Sequence, residues 1–393
     1  MNKRTLAGGR VITPLRIIEN GMVTAENGTI TYVGPYDPAR VCGDVLDLCG
    51  RYVSPGWIDI HTHGGGGHDF MDGTEEAFFG AVAMHASHGT ATLLPTTLSC
   101  SDEELLQFFQ LFRRVKDTPR PGAATPGLHL EGPFFCQAQR GAQDPRYVIP
   151  PTRPHVEKLL TAGEGLILRW SAAPELPGGM EFGRMMREHG IVASIGHSEA
   201  TDDVVCEAIE NGYTMITHLY CAMGGLIRIH SFRYPRVIES GFFFDELASE
   251  IIADGCHLPA SLLRHCYRSL GTNRLALVTD SMRGAGMPEG ESILGSLKDG
   301  QPCIIEDGVA KQPDRSAFAG SVATTDRLVR NMRDLAGAPL VDAVKMMTLT
   351  PARLVNLRQK GMLAPGMDAD FTIFDEDIRV SCTISRGETV YEA

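Results

Sequence analysis

The stretch PGWIDIHTHGGGGHD, residues 55–69, sets three histidines and an acid at the exit of one short apolar run. A single histidine on a strand is usually a packed or solvated bystander. His61 and His63 form a different case, because side chains two residues apart on a strand point to the same face. Two imidazoles on one face can hold a metal ion if further ligands arrive from other parts of the chain. The four glycines at 64–67 are not followed by Gly-Lys-Ser/Thr and so make no phosphate loop. They suit a sharp backbone turn beside the histidines.

Working outward, seven more short apolar runs follow: ATLLPTTLS, TPGLHLEG, LILRWSAAPE, IVASIGHS, TMITHLY, SEIIADGCH and LALVTDS. Helix-like segments such as EEAFFGAVAMHASHG and SDEELLQFFQLFRRVKD lie between several of them. Strand–helix alternation of this length is the pattern of a parallel (β/α)8 barrel of the TIM type, over residues 56–362. A doubly wound open sheet would give the same alternation. The polar residues favour the closed barrel, since they gather at the C-terminal ends of the runs, where such barrels carry their active sites. Residues 1–55 and 363–393 read as β-rich, the former punctuated by Asn-Gly pairs, a strong hairpin signal. They are expected to join as one small β-sandwich domain built from both chain termini.

Composition bounds the function. The chain has 393 residues, 43% hydrophobic and 21% charged, ordinary for a globular protein. No apolar run is long enough to span a membrane, and the first residues lack the apolar core of a secretory signal. A cytoplasmic protein is the expectation. A net charge of −12 argues against nucleic acid as a partner, while local arginines could still bind a small anion. The ten cysteines show no CxxC pairing, and most read as reduced, buried side chains.

At the strand ends stand His61 and His63, Glu131 in LHLEG, His197 in SIGHS, His218 in MITHLY and Asp280 in LVTDS. Histidines and carboxylates converging from separate strands are how a hydrolytic divalent-metal centre is assembled. His129, two residues before Glu131, reads as packing behind the ligands. His85 and His88 fall near a helix C-terminus, where a positive charge is favourable. His68 and Asp69 carry no clear role.

The ordered motifs PGWIDIHTHG, HLEGPF, GHS, THLYCAM, DGCH, VTDSM and AGS at 319–321 resemble the N-acetylglucosamine-6-phosphate deacetylases of the amidohydrolase superfamily, over essentially the whole chain. The resemblance implies Glu131, His197 and His218 as ligands of the principal metal. It also makes His61 and His63 the first-strand pair that permits a second ion, with zinc or iron suiting the mixed ligands. It implies Asp280 as the catalytic base, and His257 as a contact to substrate near the scissile amide. Ala142, Gln143, Cys221, Ala222, Arg228, Phe318, Ala319 and Gly320 fall where the family binds its sugar. A homodimer is the family's habit.

Three positions depart from the family pattern. Cys221 replaces the asparagine of Thr-His-Leu-(Tyr/Phe)-Asn-Ala-Met, and Gln143 stands where Gly-Ala-His is common. The loop GGLIRIHSFRYPRVIESG lacks an Arg-Glu-Pro-Gly stretch, leaving Arg228, Arg233 and Arg236 as candidate phosphate partners. The leading expectation is removal of acetate from N-acetylglucosamine 6-phosphate. The alternatives are N-acetylgalactosamine 6-phosphate, an unphosphorylated amino sugar, or a sugar-phosphate sensor without turnover. Retention of Asp280 beside every ligand speaks against the sensor.

Overall fold

Eight parallel strands form the central sheet of the computed structural model, which describes residues 3–393. They are Trp57–Thr62, Thr90–Thr97, Leu128–Glu131, Ile167–Ala172, Val192–Ile195, Tyr213–Ile216, Ala248–Ile252 and Leu275–Val278, each paired to the next in chain order. Every one overlaps an apolar run read from the sequence. The Asp280 N–H donates to the His61 carbonyl (2.9 Å) and the His63 N–H to the Ser281 carbonyl (2.8 Å). These bonds link the exit of the last strand to that of the first, and the sheet is a barrel. Ile58, Ile60, Leu94, Val192, Met215, Ile252 and Val278, from strands all round the ring, pack into one buried cluster.

Helices cover the ring for readable reasons. In Asp102–Val115 the Ser101 hydroxyl accepts the Glu104 N–H (3.2 Å), three acids fill the first turn, and Arg113 and Arg114 close the last. That arrangement satisfies a free amide and complements the helix dipole at both ends. Leu105, Phe108, Phe109, Phe112 and Val115 recur on the buried face. Each such side chain contributes about 1.5–3 kcal/mol on burial.

The two chain ends meet in a second, eight-stranded sheet. Tyr52–Pro55 runs antiparallel to Phe371–Phe374, joining five strands of the N-terminal segment to three of the C-terminal one. The long strand Lys3–Ile12 pairs with Asp44–Asp47 near its start and with Tyr52–Pro55 near its end, around a core that includes Leu6, Val23, Val53, Phe371 and Ile384. Only one of the two early Asn-Gly pairs is a hairpin turn. Asn27 (φ 50°) and Gly28 (φ 78°) connect Ile17–Glu26 to Thr29–Pro35. Asn20-Gly21 lies inside the strand, where Asn20 (φ 47°) makes a bulge. A Cβ on Gly21 would come within 2.5 Å of the Val11 side chain, so close packing accounts for this glycine.

Two additions decorate the barrel at its functional end. A hairpin, Ile227–Ile229 with Phe232–Tyr234, follows the sixth strand. A three-stranded sheet, Gly290–Leu294, Gln301–Glu306 and Val309–Lys311, follows the eighth.

Candidate active site

His61 is the penultimate residue of the first barrel strand and His63 lies one residue beyond its end; Glu131 is the last residue of the third strand. His197, His218 and Asp280 each stand two residues past a strand end. All three have left-handed backbones, with φ of 50°, 29° and 46°. Such conformations cost energy for residues with a Cβ and persist where the surroundings hold them, commonly at active sites. Here they turn the chain off each strand at the barrel mouth. Gly64 and Gly65 pair with Asp69 and His68 in a small hairpin, and Gly66 and Gly67, with φ of 64° and 87°, form its turn. A Cβ on Gly64 would meet the His68 carbonyl at 2.1 Å.

The six side chains converge. Glu131 Oε1 lies 3.0 Å from His218 Nε2, 3.1 Å from His197 Nε2 and 3.5 Å from His61 Nε2. Its Oε2 is 3.4 Å from His63 Nε2, and Asp280 Oδ1 is 3.2 Å from His63 Nε2 and 3.4 Å from His61 Nε2. They fall into two groups, His61–His63–Asp280 and Glu131–His197–His218, in each of which the donor atoms lie within 4.8 Å of one another. All six are buried.

Burial would raise the Glu131 carboxyl, but His61 together with His197, His218 and His63 holds it well below the usual carboxylate range. Asp280 is also lowered, since His61 and His63 outweigh its burial. Burial opposes charge on His63, yet Asp280 and Glu131 raise its affinity for a proton. The ring is a place built to hold positive charge. His61 Nε2 is buried with no hydrogen-bond partner. An inward-facing lone pair of this kind, beside two ionised carboxylates and three more imidazoles, fits a divalent cation.

The motifs assign no role to the residues behind the ring. Glu250 Oε1 accepts from His61 Nδ1 (2.7 Å) and from the His218 N–H (3.1 Å), so the His61 proton is on Nδ1 and its lone pair faces the ring. Its Oε2 pairs with Arg169, itself fully buried and bonded to Ser194 and Thr217. Burial would raise Glu250, but Arg169 and His61 bring it down to about 2. Asp59 accepts from the Thr279 hydroxyl (2.5 Å) and the His61 N–H (3.3 Å), and burial pushes it up to about 7. Glu175 holds the turn after His197 through the Ser198 hydroxyl and the Glu199 N–H, both 2.7 Å. The available signal is a charge inside an apolar run, as in SEIIA and LILRWSA.

Above the ring lies a cavity of roughly 440 Å³. Its wall includes Ala142, Gln143, Cys221, Ala222, His257, Phe318 and Gly320 from the expected sugar-binding set. Ala319 is buried beside it, outside the lining, and Arg228 is exposed on the hairpin, away from the wall. Among the described residues the wall carries no lysine or arginine. His257 donates through Nδ1 to Asp254 Oδ2 (2.8 Å) and packs against Phe318, with ring centroids 4.6 Å apart and the planes tilted by 50°. Burial keeps the Cys221 thiol far above its ordinary range, so it stays protonated.

The other histidines of these motifs and their neighbouring helix lie outside the ring. His129 is buried against Ser171 (2.8 Å) and lies edge-on to His61. His85 is no helix-end cation: burial lowers it to about 4, and as a neutral ring it bonds Thr62 and the Gly64 carbonyl, each at 3.0 Å. His88 pairs with Asp326 (3.1 Å). Asp69 caps the short helix Phe70–Asp72, and His68 is half-buried in the glycine hairpin.

Residues 52–390 match the amidohydrolase family. An N-acetylglucosamine-6-phosphate deacetylase of Lysinibacillus sphaericus is 34% identical over 372 residues, covering 93% of this chain and 92% of that protein. An N-acetylgalactosamine-6-phosphate deacetylase of Escherichia coli O157:H7 is 29% identical over 386 residues, 98% of each. A solved structure, a point mutant of the Mycobacterium smegmatis N-acetyl-D-glucosamine-6-phosphate deacetylase in complex with N-acetyl-D-glucosamine-6-phosphate, superposes with a TM-score of 0.91. It is 30% identical, and the match covers 99% of this chain and all of that one. With a barrel mouth of this geometry and relatives aligned almost end to end, the chain belongs to the amidohydrolase family, in its N-acetylglucosamine-6-phosphate deacetylase branch.

Proposed function

We propose that this protein hydrolyses the acetamide of N-acetylglucosamine 6-phosphate, giving glucosamine 6-phosphate and acetate, with a divalent metal held by the barrel-mouth ring. The carrying observation is the convergence of Glu131, His197 and His218 beside His61, His63 and Asp280 under one cavity. Glu131, His197 and His218 would hold the principal ion, zinc or iron, and His61 and His63 would serve a second. A divalent ion bound there would acidify water toward neutral pH and polarise the amide carbonyl.

The chain's own groups do the rest. Asp280 accepts the proton of the attacking water and delivers it to the departing amine. His257, its Nδ1 proton committed to Asp254, offers Nε2 to the substrate near the scissile bond. Phe318 and Leu294 supply apolar surface to the cavity above the ring. Cys221, Ala222 and Gly320 would contact the sugar, and Arg228 its phosphate. The protein is proposed to act in the cytoplasm as a homodimer.

A second reading, an unphosphorylated amino sugar, is favoured by the absence of lysine and arginine from the described cavity wall. A dianion ordinarily calls for such partners. Acetate release from phosphorylated and free N-acetyl sugars, using protein of measured metal content, decides between them. The main reading requires kcat/KM at least about tenfold higher for the 6-phosphate, a preference worth about 1.4 kcal/mol. Equal values would promote the second.

A further inference from the structure

Gln143 has both ends of its amide engaged within the protein. Its Oε1 accepts the Ser99 N–H (2.7 Å), and its Nε2 donates to Glu131 Oε2 (2.7 Å). The orientation follows from chemistry, since a backbone N–H can only donate and an ionised carboxylate only accept. Ser99 lies just past the second barrel strand and Glu131 ends the third. The side chain therefore stitches a carboxylate to the neighbouring strand's exit. Gln143 is itself 6% exposed. Its loop is fastened by Arg146, which bonds Asp144 and, at 3.0 Å, Asp299 of the added three-stranded region.

The terminal torsion of a glutamate is soft, so its two oxygens are free to rotate unless something fixes them. Around Glu131 the other close neighbours are His61, His63, His197 and His218, all of which face the same ring. Gln143 is the neighbour in that set with no lone pair on its contacting nitrogen to offer a metal. Its bond to Oε2 keeps Oε1 against His197 and His218.

We propose that Gln143 is a positioning residue that locks the Glu131 carboxylate and thereby sets the metal affinity of the centre. This rests on the reading of Glu131 as a ligand. The test is Zn²⁺ affinity of the metal-free protein, measured by competition with a chromophoric chelator. Wild type is compared with Gln143→Met, Gln143→Ala and Glu131→Ala, each checked for folding by circular dichroism. Gln143→Met keeps the bulk and removes both hydrogen bonds.

Both Gln143 variants should bind Zn²⁺ more weakly by roughly 10–100-fold, the usual worth of a group that orients a ligand. Activity lost at low Zn²⁺ should return as Zn²⁺ is raised, in step with the weakened affinity. Unchanged Zn²⁺ affinity with a raised KM would overturn the proposal and make Gln143 a sugar contact. Wild-type Zn²⁺ affinity in Glu131→Ala would instead remove the ligand reading, and the positioning role with it. The two failures are thus told apart.

Discussion

Glu131 ends a fully buried strand and lies within 3.5 Å of four imidazoles, whereas Arg228 sits on an exposed hairpin where its strand partner is another arginine, Arg233. Both belong to the same end of one barrel. Around Glu131, backbone pairing between neighbouring strands fixes where each side chain emerges, so six residues distant in sequence share one ring. Around Arg228, the hairpin strands pair with each other and not with the barrel sheet, and Leu226, Ile229, Phe232 and Tyr234 beside it are exposed. Under the proposed function the chemistry lies on the barrel sheet, and the candidate phosphate contact lies on a hairpin outside it.

The sharpest attempt to break this contrast is Glu131→Ala. It should strip the principal ion and take deacetylation to background. Full metal occupancy by elemental analysis would show that the ring does not depend on its central carboxylate. Asp280→Asn should come next. It keeps shape and removes basicity, so metal should stay bound while kcat falls by about 10²–10⁴-fold, the worth of general acid–base catalysis. Near-wild-type turnover would take Asp280 out of the reaction.

Arg228→Ala should give the smallest effect. An exposed charge pair is worth about 1 kcal/mol or less, so KM for the 6-phosphate should rise no more than about fivefold. The KM for the free sugar and kcat should stay still. A KM for the phosphorylated sugar that does not move would exclude Arg228 from the phosphate site. A rise of a hundredfold would mean that the hairpin is as firmly placed as the ring.

Legibility in the sequence divides along the same line. Strand ends are readable because His61, Glu131, His197, His218 and Asp280 interrupt or close apolar runs, and a barrel converts that one-dimensional pattern into a point. Glu250 and Arg169 sit inside such runs. Nothing local says that they pair with each other across the ring and fix the His61 proton. The hairpin reads as an irregular loop because its turn is His230-Ser231, with φ of 46° and 71°, where Asn-Gly would have announced it. The same rule misleads at Asn20-Gly21, where a bulge uses one left-handed residue, Asn20, as a turn would. Gln143 reads as a pocket residue, and its engagement with Glu131 is visible only once the two loops are placed in space.

The pairing of Tyr52–Pro55 with Phe371–Phe374 bears on the order in which the molecule can be assembled. The Trp57 N–H donates to the Thr372 hydroxyl, 315 residues away, and the indole packs against Phe374. Contacts between such distant segments carry a large loop-closure cost and form late. During synthesis the strand bearing His61 and His63 can pair with Thr90–Thr97 soon after both emerge. Its entry end stays uncovered until nearly the whole chain has been made. The first barrel strand to leave the ribosome thus waits for the C-terminal segment before its entry is covered, and unpaired apolar edges of this kind are where incomplete chains associate wrongly.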